Sequence, residues 1–156
     1  QLRSYQTFTT DNWLGGFYGS SGVLGTKSGG PMAAAWAVMN YLGDEGYLRL
    51  TESARSTTRQ LAQAIQGIDG LQLRAIPDST LLSFGAQGLD VFAVADELAL
   101  RGWYVDRQAP PDSLHCTVNA VHHQVIEEFI VDLRHAVAKV QDAGSTGSVG
   151  AYGTIE

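Results

Sequence analysis

The residues with the strongest claim to chemistry lie between 15 and 36, in the stretch GGFYGSSGVLGTKSGGPMAAAW, where seven of the first sixteen residues are glycine. Glycine loses more backbone freedom on folding than any other residue, so a run of this density calls for a reason. Ser20, Ser21, Thr26 and Ser28 stand among the glycines, and Lys27 adds a formal positive charge ahead of a helix start at Gly30 and Pro31. Backbone N–H groups in such loops form anion-binding concavities, and the helix end adds partial positive charge. Binding of a phosphate or another anion is one reading; a loop that lets two stretches of backbone approach closely is the other. Nucleotide loops do not fit. A P-loop places Gly directly before its Lys, where this chain has Thr26, and no G-x-G-x-x-G occurs in the loop.

A second group, His115, Cys116, His122 and His123, has the donor atoms of a metal site. On an alternating strand His115 and Cys116 point to opposite faces, so they do not ligate together. The adjacent His122 and His123 fit a helix start, and packing or capping is the reading for all four. Ser20 and Ser21 have neither a G-x-S-x-G elbow nor a local base. The acidic residues are dispersed along helix surfaces, which they solvate. No catalytic residue and no metal ligand is assigned.

These residues must be positioned by a chain of 156 residues, enough for one domain, with two small lobes as the outer limit. It is 44% hydrophobic and 17% charged, with a net charge of −6, which argues against a nucleic-acid surface or an anionic membrane as partner. A single cysteine excludes an internal disulfide and a zinc framework. No apolar run approaches the roughly 20 residues of a membrane span, and the N-terminus does not read as a signal peptide. A cytoplasmic location is expected. The chain opens QLRSYQTF, without Met, and reads like the middle of a larger protein, trimming of a longer chain being the bland alternative.

Residues 1–14 are expected to be extended or irregular, anchored by Tyr5, Phe8 and Trp13. From Met32 to Leu42 nearly every side chain is apolar or Ala, which predicts a helix buried on most sides and stopped by Gly43. A second helix is predicted over 51–66, with Thr51 as N-cap and Glu52 in its first turn. Short strands follow at 71–76 and 80–86, parted by Pro77 and Asp78. Asp90 caps a helix whose Val91, Val94, Ala95 and Leu98 share a face, and Gly102 ends it. A strand at 103–107 is halted by Pro110 and Pro111. Residues 113–121 alternate, with Leu114, Cys116, Val118 and Ala120 on one side. The last helix, 122–141, carries Val125, Ile126, Phe129, Ile130, Leu133, Val137 and Val140 on one stripe, and 144–153 reads as a flexible tail. The order predicts a compact α+β lobe with a mostly antiparallel sheet, and two leading helices that form an arm.

The stretch from Thr10 to Trp36 resembles the pyridoxal-phosphate lyases of the sphingosine-1-phosphate lyase type, relatives of the group II amino-acid decarboxylases. The family pattern is T-D-W-x-G-G-x-Y-x-S-x-x-x-x-G-S-R-x-G-G, then a helix with A-x-W and a G-x-x-G-Y, which Gly43, Gly46 and Tyr47 answer. GWYVDRQAPPDSLHCTVNAVH, from Gly102, is similar to the family's G-W-x-L-x-x-L-Q-x-P-x-S-I-H-x-C-V-T-x-x-H, and AYG at 151–153 to its terminal A-I-Y-G. The resemblance covers essentially the whole chain.

The resemblance implies a fold type I α/β architecture. Residues 1–50 would end the large domain, 51–70 connect, 71–141 form the α+β small domain and 142–156 a flexible tail. It implies pyridoxal 5'-phosphate as cofactor and a homodimer. In such enzymes the Ser/Thr of G-[ST]-[RK]-x-G-G reaches the cofactor phosphate held by the partner subunit. Here that residue is Thr26, with Gly25 and Lys27 beside it, and Lys27 stands where Arg is usual. Tyr18 and Ser20 would line the neighbouring active-site mouth. The lysine that forms the Schiff base falls outside this chain, whose lysines are Lys27 and Lys139. The implied activity of the intact protein, completed by its N-terminal part, is carbon–carbon cleavage of a phosphorylated long-chain amino alcohol, with this part alone inactive. An amino-acid decarboxylase and a non-catalytic α+β interaction or dimerisation module are the alternatives.

Overall fold

Gly43 interrupts the longest helix of the computed structural model, which describes residues 3–12, 14–20 and 27–148. This helix, α2 (Gly29–Gln66), passes through Gly43 at φ 58° and ψ −177°, a backbone conformation that an L side chain rarely adopts. Gly43 therefore ends a helix as its sequence position predicts, but the next one begins at once. Thr51 lies inside it and is not an N-cap. The reason is that 44–50, DEGYLRL, contains strong helix formers around its one glycine. The chain divides into two compact units, 1–43 and 44–156.

In residues 1–43, a single-turn helix α1 (Arg3–Gln6) precedes a hairpin of β1 (Phe8–Thr10) and β2 (Tyr18–Ser20). The strands are antiparallel and pair Phe8 with Ser20 and Thr10 with Tyr18, so part of the stretch expected to be extended or irregular up to residue 14 is a paired strand. The apolar part of α2 does not meet its expectation. Met32 is 58% exposed, Trp36 66% and Tyr41 89%. Apolar side chains surround this helix on every side, and a three-residue hairpin and a single helical turn are too small to cover them.

In residues 44–156, the second part of α2 leads into β3 (Leu71–Leu73), β4 (Leu81–Ala86), α3 (Val91–Ala99), β5 (Asp106–Gln108), β6 (Ser113–Thr117), a 3-10 helix (Ala120–Gln124) and α4 (Ile126–Ala143). The sheet order is β3-β4-β6-β5, with every pairing antiparallel. Leu82 lies opposite Cys116 and Phe84 opposite Leu114. These side chains share a core with Leu61 and Ile65 of α2, Val94 and Leu98 of α3, and Ile130 and Leu133 of α4. The strand expected over 103–107 pairs only from Asp106, and Val105 is buried just ahead of it. Two fully buried threonines of α2 satisfy themselves locally: Thr57 Oγ1 donates to the Ser53 carbonyl at 2.9 Å and Thr58 Oγ1 to that of Ala54 at 2.8 Å.

Candidate functional site

Tyr18 and Ser20 sit two apart on β2 and so project to the same side of the hairpin. Gly19 separates them and faces Thr9 and Phe17, whose side-chain carbons would lie 3.6–3.9 Å from a Cβ there. Lys27 and Ser28 stand immediately ahead of α2. Ser28 Oγ accepts the Gly30 N–H at 3.4 Å, a cap of the helix start. Nothing lies within 4 Å of a Cβ built on Gly29. The loop thus presents exposed Lys27, a hydroxyl and an open stretch of backbone at the positive end of a helix. Thr26 and Gly25, the residues assigned to a cofactor phosphate, lie outside the described residues, as does Ser21.

The other lysine has a structural task. Lys139 Nζ on α4 donates to Glu97 Oε2 of α3 at 2.8 Å, with the lysine side chain more than half exposed.

Cys116 packs on the core side of β6, whereas His115 lies across from Ser83 and Asp106 on the opposite face. Burial, with Asp106 nearby, pushes the Cys116 thiol up to about 12, so at neutral pH it stays protonated and is neither nucleophile nor ready ligand. His122 Nδ1 accepts the Asn119 N–H at 2.9 Å, which is a capping role. Among the described residues no three His, Cys, Asp or Glu side chains converge.

A cavity of about 220 Å³ lies between Leu61, Trp103, Val118, Ile126 and Phe129, with His115 and His122 at its lining. It is smaller than the usual range of about 300–1,000 Å³ for small-molecule sites. Its aromatic wall is held firmly: Trp103 Nε1 donates to Asp132 Oδ2 at 2.8 Å, and Arg101 Nη1 to Asp132 Oδ1 at 3.0 Å. Sequence reasoning missed this arrangement because its partners stand about thirty residues apart and no local pattern joins them.

The fold of residues 44–156, an antiparallel four-stranded sheet backed by helices after a long leading helix, is that of the fold type I pyridoxal-phosphate enzymes. A cysteine desulfurase from Escherichia coli superposes with a TM-score of 0.64 at 17% identity, over 86% of this chain and 37% of that one. A C-DES mutant with glycine covalently linked to the PLP cofactor does so at 0.59 and 16%, over 76% and 33%. No family model matches the chain.

The chain is homologous to the sphingosine-1-phosphate lyases. The lyase of Burkholderia pseudomallei superposes with a TM-score of 0.80 at 35% identity, over 91% of this chain and 33% of that structure. The Arabidopsis thaliana lyase is 34% identical over 90% of this chain and 26% of its own length. The Drosophila melanogaster lyase is 33% identical over all of this chain and 30% of its own length. The chain therefore spans between a quarter and a third of the length of the curated relatives it matches. The resemblance read from the glycine loop and the H-C-T strand meets these findings. Among the described residues no helix is long and apolar enough to cross a membrane.

Proposed function

We propose that the chain is the C-terminal part of a pyridoxal-phosphate-dependent carbon–carbon lyase that cleaves a phosphorylated long-chain amino alcohol into an aldehyde and phosphoethanolamine. The observation that carries this reading is the 33–35% identity, over nine-tenths or more of the chain, to proteins named sphingosine-1-phosphate lyase. Residues 1–50 end the large domain, 51–70 connect, 71–141 form the small domain and 142–156 follow it, the first two of these still helical in α4. The protein works as a cytoplasmic homodimer, each subunit completed by its N-terminal part.

The donor set beside α2 fits a phosphate. Lys27 is exposed, Gly29 leaves open space, and Ser28 caps the helix start without blocking it. When bound, the cofactor supplies an electron sink for the bond that breaks. Thr26 donates its hydroxyl to the phosphate of the cofactor held by the partner subunit, a charge-assisted bond stronger than a neutral one. Lys27 adds a point charge where an arginine would offer a fork, so it attracts the dianion without fixing its orientation. Tyr18 and Ser20 line the mouth through which substrate enters. This chain contributes binding and positioning; Lys139, tied to Glu97, does not anchor the cofactor.

The same reading accounts for the exposed Met32, Trp36, Met39 and Tyr41. An all-round apolar helix belongs in an interior, and the rest of a lyase-length protein, of which this chain spans 26–33%, supplies the cover. The test is to incubate the full-length protein with pyridoxal phosphate and a phosphorylated long-chain amino alcohol. Release of a long-chain aldehyde and phosphoethanolamine is expected. Carbon dioxide release from amino acids with no aldehyde product would contradict the assignment.

A further inference from the structure

The last described residues do not simply trail from the small domain. α4 ends at Gly144, whose N–H bonds the Val140 carbonyl, and the chain turns back across the start of α3. There Gly147 N–H donates to Asp90 Oδ2 at 3.0 Å and Ser148 N–H to Asp96 Oδ2 at 2.7 Å. Both carboxylates are also engaged through their other oxygen. Asp90 Oδ1 accepts the N–H groups of Phe92 and Ala93, at 2.8 and 3.4 Å, as the N-cap of α3. Asp96 Oδ1 accepts from the Arg107 guanidinium of β5. The approach is close as well. A Cβ on Gly147 would stand 2.0 Å from the Ala93 nitrogen and 2.1 Å from the Phe92 carbonyl carbon, so backbone would have to move for any other residue.

We infer that residues 144–148 form a strap, clasped by Asp90 and Asp96, that fixes the path of the chain after α4 across the start of α3. Asp90 is the centre of this device because it divides its two oxygens between separate tasks. One closes the start of α3 and the other holds the strap. Asp96 extends the clasp through Arg107 to the sheet, so the strap is tied to a helix and, through it, to an edge strand. The contacts join residues 52 to 57 positions apart in sequence, and they stand whether or not the lyase reading holds.

The division of labour at Asp90 makes the inference separable from mere stability. Asp90→Asn keeps an oxygen for the Phe92 and Ala93 amides but turns an NH₂ group towards Gly147 N–H, setting donor against donor. In the full-length protein, backbone amide exchange is followed in wild type, Asp90→Asn and Gly147→Ala. In wild type the amides of Gly147 and Ser148 are expected to be protected. Both variants are expected to speed exchange at 147 and 148 by about tenfold or more, as lost charge-assisted bonds and blocked docking require. Asp90→Asn is expected to leave Phe92 and Ala93 protected. Exchange of the two amides at unprotected rates in wild type, or unchanged protection in Asp90→Asn, would overturn the inference.

Discussion

Trp36, in residues 1–43, is 66% exposed, whereas Trp103, in residues 44–156, meets Phe129 edge-on with ring centroids 5.3 Å apart and bonds Asp132 through its indole N–H. The two side chains are chemically the same, and their surroundings differ because the two units close their cores differently. The second unit has a sheet with one apolar face and helices that match it, so Phe84, Leu98, Leu114 and Leu133 are completely buried. The first pairs a short hairpin with a helix that is apolar all round. The second unit carries its own core, while the first leaves the apolar side chains of its helix exposed.

The largest effects should fall on the covered core. Phe84→Ala is expected to cost about 3–5 kcal/mol in the 156-residue chain, measured by denaturant unfolding. Trp36→Ala should cost a similar ~3–5 kcal/mol in the full-length protein yet stay within about 0.5 kcal/mol in the 156-residue chain. Equal effects in both settings would erase the distinction between the units. Asp132→Ala ranks next, at about 1–3 kcal/mol, because it leaves the part-buried Trp103 N–H without its acceptor; tryptophan fluorescence and thermal unfolding would report it.

The pH dependence of the strap is smaller. Burial alone would raise the Asp90 carboxyl, but N–H bonds from Gly147, Phe92 and Ala93 outweigh it and hold the group below its ordinary 3.8. Arg74 and Asp112 line the shallow cleft beside it, and Asp96 with Arg107 completes the clasp. A carboxylate with a lowered folded value contributes stability that is present above 3.8 and is lost as pH falls through that lower value. Asp90→Asn should therefore flatten the acid limb of thermal stability relative to wild type. The smallest effect is expected from Lys139→Ala, which breaks an exposed ion pair with Glu97 worth at most about 1 kcal/mol.

What the sequence discloses follows the range of each interaction. The Asp90 cap is legible because the N-cap bond reaches only two or three residues, and the alternation around Leu114 and Cys116 is legible because period two is a property of the strand itself. Thr51 misleads, since a threonine beside Glu52 imitates a helix start in the middle of a helix that has already begun. Residues 103–105 mislead as well: Trp, Tyr and Val favour strands, but pairing with β6 begins only at Asp106. His122 and His123 stand in the 3-10 helix, and a break at Val125 delays α4 to residue 126. The strap and the Trp103–Asp132 bond were illegible because their partners lie 29 to 57 residues away. The glycine-rich stretch 15–30 was legible only as a density of glycine and hydroxyl groups, which two different tasks share; the family pattern singles out Thr26 for the proposed phosphate contact.

The proposed contact between Thr26 and the cofactor phosphate is open to a direct binding measurement. Full-length wild type and Thr26→Ala are to be titrated with pyridoxal phosphate and followed by absorbance, with thermal unfolding of the cofactor-free proteins as control. Thr26→Ala is expected to weaken cofactor binding roughly 10- to 100-fold, the range for a hydrogen bond to a charged group, and to leave unfolding of the free protein unchanged. Equal cofactor affinity in the two proteins would contradict the proposed contact.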